Sequence, residues 1–299
     1  DTMIKRFTSD EEFENDRSVA LLYRLEDKSQ VKDKKNWSMA LPLIGHLPSM
    51  QSVNEEYELS KQNPILQVMF LAMNMGLQMN DTAYYFTAQE SLKHEFDLSV
   101  FNGAKTYIGI DLSLSNDLTT VAFLCKPDDN YYLHTISFTT QKNLENCDEE
   151  QKELYLKFEA EDSLIILESD YIRASDIIAY MKEFKTKTKC RFTKIGYDPS
   201  RYENLKALIE LYFYDKDSEN QVPIRQGFSM SDYIQIFKSQ IENSSLLHNQ
   251  ALMEWSLMNA AVRIGTSGDV MLKKKSQDEK IDPVVASVMA LQVMVADEL

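Results

Sequence analysis

The stretch Tyr107–Cys125, reading Y-I-G-I-D-L-S-L-S-N-D-L-T-T-V-A-F-L-C, constrains the fold more than any other part of the chain. An apolar run from Tyr107 to Ile110 ends in one carboxylate, Asp111. Turn residues follow (Ser113, Ser115, Asn116, Asp117), then a second apolar run from Leu118 to Cys125. Two short β-rich runs joined in this way predict a hairpin whose first strand is buried. An aspartate ending a buried strand is costly unless a cation or a hydrogen-bond donor meets it. A divalent metal ion is one such partner, and it would call on further carboxylates elsewhere.

The bulk properties narrow the field. A chain of 299 residues has room for one large domain with an appendage, or for two modest domains. A net charge of −15 argues against non-specific attraction to nucleic acid or anionic membrane. It leaves room for DNA chemistry where a metal or a local basic patch reverses the field. Cys125, Cys147 and Cys190 are odd in number and form no C-x-x-C, which predicts free thiols in a reducing compartment and no zinc site. No apolar run approaches the roughly 18 residues needed to span a bilayer, and no secretory leader opens the chain, so no membrane partner is expected. The opening Asp1-Thr-Met-Ile reads as a start inside a larger protein. G-x-x-x-x-G-K-[ST] is absent, and the eight glycines leave little for phosphate-cradling loops.

Along the chain, Asp10–Arg17 has a helical pattern and Ser18–Leu25 a strand-like one, followed by a polar loop from Glu26 to Asn36. Apolar spacing near 3.6 predicts helices between Ser52 and Met79, the second opening at Asn63-Pro64. Trp37 reads as a hinge anchor. Residues 80–104 read as an irregular connection, which sets the expected domains at 1–104, mostly helical, and 105–299. In the second, strands are expected at the hairpin, Tyr131–Phe138, Leu164–Glu168, Arg191–Tyr197 and Val222–Arg225. An exposed acidic loop is expected at Leu144–Glu153. Helices are expected at Ala174–Phe184, Arg201–Tyr212, Tyr233–Ile241, Leu252–Val262 and Val284–Ala296. Three leading strands followed by alternating helices and strands imply an α/β fold, a mixed sheet with helices on its faces.

Three acids hold similar positions in this scheme. Asp111 ends the first strand, Asp198 ends a later one in I-G-Y-D-P-S, and Asp282 opens the last helix in K-I-D-P-V-V-A-S. The carboxyl ends of neighbouring strands in an α/β sheet converge on one edge. Three carboxylates meeting there would repel unless a cation intervened, and two Mg²⁺ or Mn²⁺ ions about 4 Å apart suit such an oxygen set. The plain alternative is that a strand-end aspartate forms a turn and that Asp282, before Pro283, is a helix N-cap. Asp117 and Glu168 are weaker candidates, because a turn hydrogen bond explains Asp117.

In order along the chain, G-I-D-L-S-x-x-x-D-L-T-T-V, I-G-Y-D-P-S, R-Q-G-F-S-M-S, H-N-Q-A-L-M-E-W-S-L-M-N-A and K-K-S-Q-D-E-K-I-D-P-V-V-A-S-V-M-A-L resemble the large terminase subunits of tailed phages. The likeness covers the C-terminal nuclease domain, about 105–299. The segment with Y-R-L-E-D-K-S, N-W-S-M-A-L-P and K-Q-N-P resembles the linker from the ATPase to the nuclease. The resemblance implies an RNase H-like fold and a two-metal endonuclease that cuts concatemeric viral double-stranded DNA during packaging. It puts the metal-binding acids at Asp111, Asp198 and Asp282. It also implies a small terminase subunit and a portal or procapsid as partners, and the cytoplasm of the infected host as the location. The family's Walker A loop is missing, so no ATPase is expected of this fragment. Two departures stand out: Pro283 where the family has a small residue, and Ser115-Asn116 in place of a Gly-rich turn.

Phosphates require cations, since backbone contacts dominate DNA affinity. Lys273, Lys274, Lys275 and Lys280 flank Asp282 and are the expected DNA contacts. Lys185, Lys187, Lys189 and Arg191 form a second basic run with a solvated surface as its equal alternative. The four histidines (His46, His94, His134, His248) show no ligand spacing. Two other functions compete. An actin-like or sugar-kinase-like ATPase also opens with a strand, an Asp and a Ser/Thr turn, but needs Gly-rich nucleotide loops. A non-catalytic module docking DNA or the portal would use the acids only as turn formers.

Overall fold

The computed structural model describes residues 21–61, 64–77, 83–112, 117–199, 203–213, 220–265, 268–274, 276 and 279–298. The helix expected at Asp10–Arg17, the turn residues Ser113, Ser115 and Asn116, and Lys275 lie outside them. Tertiary contacts divide the chain into Asp1–Asp81 and Thr82–Leu299.

The first unit is helical in its described part. Ser49 caps helix α1 (Met50–Ser60) by accepting from the Ser52 amide. Pro64 opens helix α2 (Pro64–Met69), which runs into a π-helical turn at Phe70–Asn74. The polar stretch expected as a loop winds into short 3₁₀ turns, because Asp27 and Asp33 each accept a backbone N–H at a turn start. Trp37 is fully buried, with its ring edge-on to Tyr57 and Phe70 and its indole N–H on the Val31 carbonyl. It is a core residue of this unit.

The second unit begins with β1 (Ala83–Tyr84) and continues with β2 (Lys105–Asp111), β3 (Thr119–Cys125) and β4 (Tyr131–Thr140). Helices α3 (Gln141–Glu145) and α4 (Glu149–Ala160), strand β5 (Leu164–Leu167), helix α5 (Ala174–Thr188) and strand β6 (Arg191–Tyr197) follow. Next come α6 (Glu203–Phe213), β7 (Gln221–Pro223), α7 (Ser231–Glu242), β8 (Leu246–His248) and α8 (Ala251–Asn259). The hairpin β9 (Ala261–Ile264) and β10 (Val270–Lys273) and the helix α9 (Asp282–Glu298) complete it.

The main sheet has seven strands in the order β5-β4-β3-β2-β6-β7, with β8 also on β4. β2, β3 and β4 are antiparallel neighbours, while β5, β6, β7 and β8 join in parallel. A smaller sheet has the order β1-β9-β10. The large sheet is buried on both faces, and all seven residues of β3 are buried. One face, with Ile108, Ile110, Val121 and Phe123, meets Ile177, Ile178, Met181 and Phe184 of α5. The other is covered by α9, whose buried run Pro283–Leu291 has no polar stripe.

The expected α/β fold, a mixed sheet flanked by helices, is the one found. Three local expectations are corrected. The acidic stretch Leu144–Glu153 is not a loop: Asp148 caps α4, and Tyr155 and Phe158, three apart, bury one side of it. Leu252–Val262 splits at Ala260 into a helix and the first strand of an unforeseen hairpin. Residues 83–104 belong with the second unit: Ala83 pairs with Val262, the Tyr85 amide donates to the Ala260 carbonyl, and Phe101 is fully buried in the main core.

Candidate active site

The tetrapeptide I-G-x-D occurs at 108–111 and again at 195–198. β2 and β6 lie side by side in parallel with Ile108 opposite Ile195, Gly109 opposite Gly196 and Ile110 opposite Tyr197. Asp111 and Asp198 are the next residues on two strands about 4.8 Å apart. Strand alternation puts Asp111 on the face of Gly109 and Gly196, the face that α9 covers, and Asp198 follows the last residue of β6.

The two glycines decide how close that helix comes. A Cβ at Gly109 would lie 1.8 Å from the Ala286 carbonyl oxygen and 2.7 Å from the Ala290 amide, and one at Gly196 would lie 3.0 Å from the Met289 carbonyl oxygen. The helix backbone therefore rests directly on the sheet. Its direction is fixed at the other end, where the Tyr107 hydroxyl donates to Asp297 at 2.8 Å and Lys194 pairs with Asp297 at 2.8 Å. With Asp297 over Tyr107 and Ala286 over Gly109, the helix runs antiparallel to β2. Its first residue, Asp282, lies one turn beyond Ala286, at the sheet edge that carries Asp111 and Asp198. Glu168 follows β5 on this edge too, but three strands from β2, about 14 Å away by strand spacing.

Further groups gather here. The Gln226 side-chain amide, beyond β7, donates to Asp111 Oδ1 at 2.9 Å. Asp117 accepts from Lys274 at 2.5 Å and Lys280 at 3.0 Å. Burial would raise the Asp117 carboxyl, but these two ammonium hydrogen bonds hold it below its ordinary value. Burial, and then the Asp117 charge, push Asp282 the other way, up to about 7.

The sequence-predicted lysines divide. Lys273 is exposed on β10, whereas Lys274 is partly buried and Lys280 is 4 % exposed, both turned to Asp117. Lys280 is thus an internal cation rather than a displayed one. The second basic run leads from the last turn of α5 to Arg191 at the start of β6, a seven-residue strand, about 23 Å, from Asp198. Gln226 and the Asp117–lysine cluster escaped the sequence reading, although both lie within quoted motifs. His134 is buried among Asn249, Tyr180 and Gln250, as an ordinary core histidine would be.

Whether these residues suit a metal is a question of donor chemistry and of arrangement. Carboxylate oxygens at one sheet edge, one of them held reluctantly charged, fit a hard divalent cation such as Mg²⁺ or Mn²⁺. As they stand, no three His, Cys, Asp or Glu side chains among the described residues are grouped to hold one ion. Asp111 is directed to Gln226 instead. No described helix is long and apolar enough to cross a membrane, and Cys125, Cys147 and Cys190 are free thiols.

Residues 12–298 match the profile of the terminase large subunit, endonuclease domain. The chain belongs to this family. It is 55 % identical over its full length to the terminase large subunit of Lactococcus phage p2, of which it spans 55 %. It is 22 % identical over 276 residues to that of Enterobacteria phage HK97, of which it spans 54 %. The crystal structure of the HK97 bacteriophage large terminase superposes with a TM-score of 0.63 at 20 % identity, over 92 % of this chain and 57 % of that one. A nuclease domain from thermophilic phage G20c, solved with bound magnesium, gives a TM-score of 0.44 at 12 % identity, over 72 % of this chain and 98 % of that one. The mixed sheet flanked by helices is thus a fold shared with the HK97 large terminase. The family match extends through the segment read from sequence as the ATPase linker.

Proposed function

We propose that this terminase nuclease domain is a metal-dependent endonuclease that cuts concatemeric viral double-stranded DNA during genome packaging, with Asp111, Asp198 and Asp282 as its metal-holding carboxylates. The observation that carries the reading is the in-register I-G-x-D pair, closed over by α9 in a chain of the terminase endonuclease family. Bound at these carboxylates, two Mg²⁺ or Mn²⁺ ions would supply an activated water and steady the leaving oxygen of a phosphodiester.

The protein's own part is to fix charge and position. β2 holds Asp111 at its last residue, β6 leads directly into Asp198, and the glycine contact sets the height of Asp282. Gln226 offers Asp111 a neutral donor that orients its carboxylate without neutralising it. Lys273 is exposed beside this edge and is the cation best placed to meet a phosphate. The whole-protein setting also belongs to this proposal: action in the host cytoplasm beside a small terminase subunit and a portal.

Supercoiled plasmid incubated with the chain and Mn²⁺ should be nicked and linearised with little sequence preference. EDTA should abolish the reaction, and Asp111→Ala, Asp198→Ala or Asp282→Ala should each lower the rate at least about 100-fold, the scale on which such stabilising groups act. Plasmid cut equally well by the triple-alanine variant would refute the assignment and favour a docking module with the acids as turn formers.

A further inference from the structure

We propose that Asp117 is a positioning residue: clamped by Lys274 and Lys280, it sets where Asp282 stands relative to Asp111. The inference deepens the nuclease reading and rests on it. A single carboxylate oxygen, Asp117 Oδ1, accepts from Lys274 Nζ at 2.5 Å and from Lys280 Nζ at 3.0 Å. The three residues come from separate segments. Asp117 stands two residues before β3, whereas Asp111 is the last residue of β2. Lys274 follows the last residue of β10, and Lys280 stands two residues before Asp282.

The described residues of 274–281 have no helix or strand of their own, so their path needs ties from outside. Lys280 is the strongest of these. A lysine that is 4 % exposed is unusual, and its ammonium tolerates burial only when a carboxylate meets it. Removing that carboxylate takes away one of the contacts that hold the lysine inside and so loosens the start of α9. The helix itself is seated on the sheet at Ala286, so the loosening would concentrate in its first turn, where the Val285 amide donates to the Ile281 carbonyl at 3.0 Å. Lys274 adds a second tie from the β9–β10 hairpin. The two lysines exceed Asp117 by one positive charge, which also offsets part of the repulsion among the neighbouring acids.

The test uses the 299-residue chain with Asp117→Asn, Asp117→Glu, Lys280→Met and the double variant Asp117→Asn/Lys280→Met. Thermal unfolding, amide exchange at Val285, calorimetric Mn²⁺ binding and Mn²⁺-dependent plasmid cleavage are read on each. Asp117→Asn should lower Tm, speed exchange at Val285 but not in the middle of α9, and weaken Mn²⁺ binding about 10- to 100-fold, the usual effect of disturbing groups behind a metal ligand. Asp117→Glu should restore most of the binding. The double variant removes the most buried ammonium together with the Asp117 charge and should regain part of the lost Tm while its Mn²⁺ binding stays weak, which a merely structural ion pair would not do. A double variant with wild-type Mn²⁺ binding and wild-type exchange at Val285 would overturn the clamp and leave the nuclease reading standing. A wild-type chain that binds Mn²⁺ and shows the clamp effects but cuts no DNA would instead overturn the nuclease reading alone.

Discussion

Asp282 and His134 give the molecule two opposed responses to pH. Asp282, pushed up to about 7 by burial and by Asp117, is more stable in its protonated form. Its contribution to stability is complete below its unfolded value, near 4, and is lost as pH rises through 7. His134, pushed down to about 4 by burial, contributes when neutral, so its share is complete above about 6.5 and is lost as pH falls toward 4. In EDTA, Asp282→Asn should therefore stabilise the chain at pH 8 by on the order of 1–2 kcal/mol, after discounting for solvent screening. The same substitution should be neutral near pH 4, and a pH series of thermal melts checks both ends. Asp111, Asp198 and Asp282 were legible as candidates because strand-end and helix-start positions can be read locally. Lys280 was not: its partner lies 163 residues away, and nothing local distinguishes an internal lysine from a displayed one.

Among the elements, α9 and the strands beneath it matter most. Gly109→Ala would drive a Cβ into the helix backbone, at 1.8 Å from the Ala286 carbonyl oxygen. Backbone cannot swing aside as a side chain can, so the helix must lift, at a cost of about 3 kcal/mol or more. Chemical denaturation should show that loss, and cleavage should fall further than the loss of folded protein explains. Six strands of the large sheet were readable because each holds apolar or aromatic residues bounded by turn residues; β8 was not, being only three residues between two helices. The β9–β10 hairpin was not, because Ala261–Ile264 continues the apolar pattern of α8 without a break. Helix α4 was hidden by its charge: its buried side is only a narrow stripe including Tyr155 and Phe158, beneath a largely acidic surface.

The whole chain divides near residue 81, not at the 104/105 boundary that the irregular composition of 80–104 suggested. Compositional irregularity marks the absence of long elements, whereas a boundary is set by which core the side chains enter. Phe101 enters the main one, and the His94 amide donates to the His248 carbonyl at 2.6 Å. A fragment starting at Thr82 should melt cooperatively close to the intact second unit. One starting at Lys105 should melt lower and less sharply, having lost β1 and the Phe101 anchor, and differential scanning calorimetry distinguishes the two.

Helix α9 also works as a stiff rod held near its tail. Seventeen residues at 1.5 Å each give it a length of about 25 Å, with Tyr107 and Lys194 gripping Asp297 at one tip and the candidate catalytic carboxylate at the other. A rod buried from Pro283 to Met294 cannot tilt on one point, so the grip on Asp297 and the close glycine contacts set its height along the whole length, and Asp282 inherits that height at the other tip.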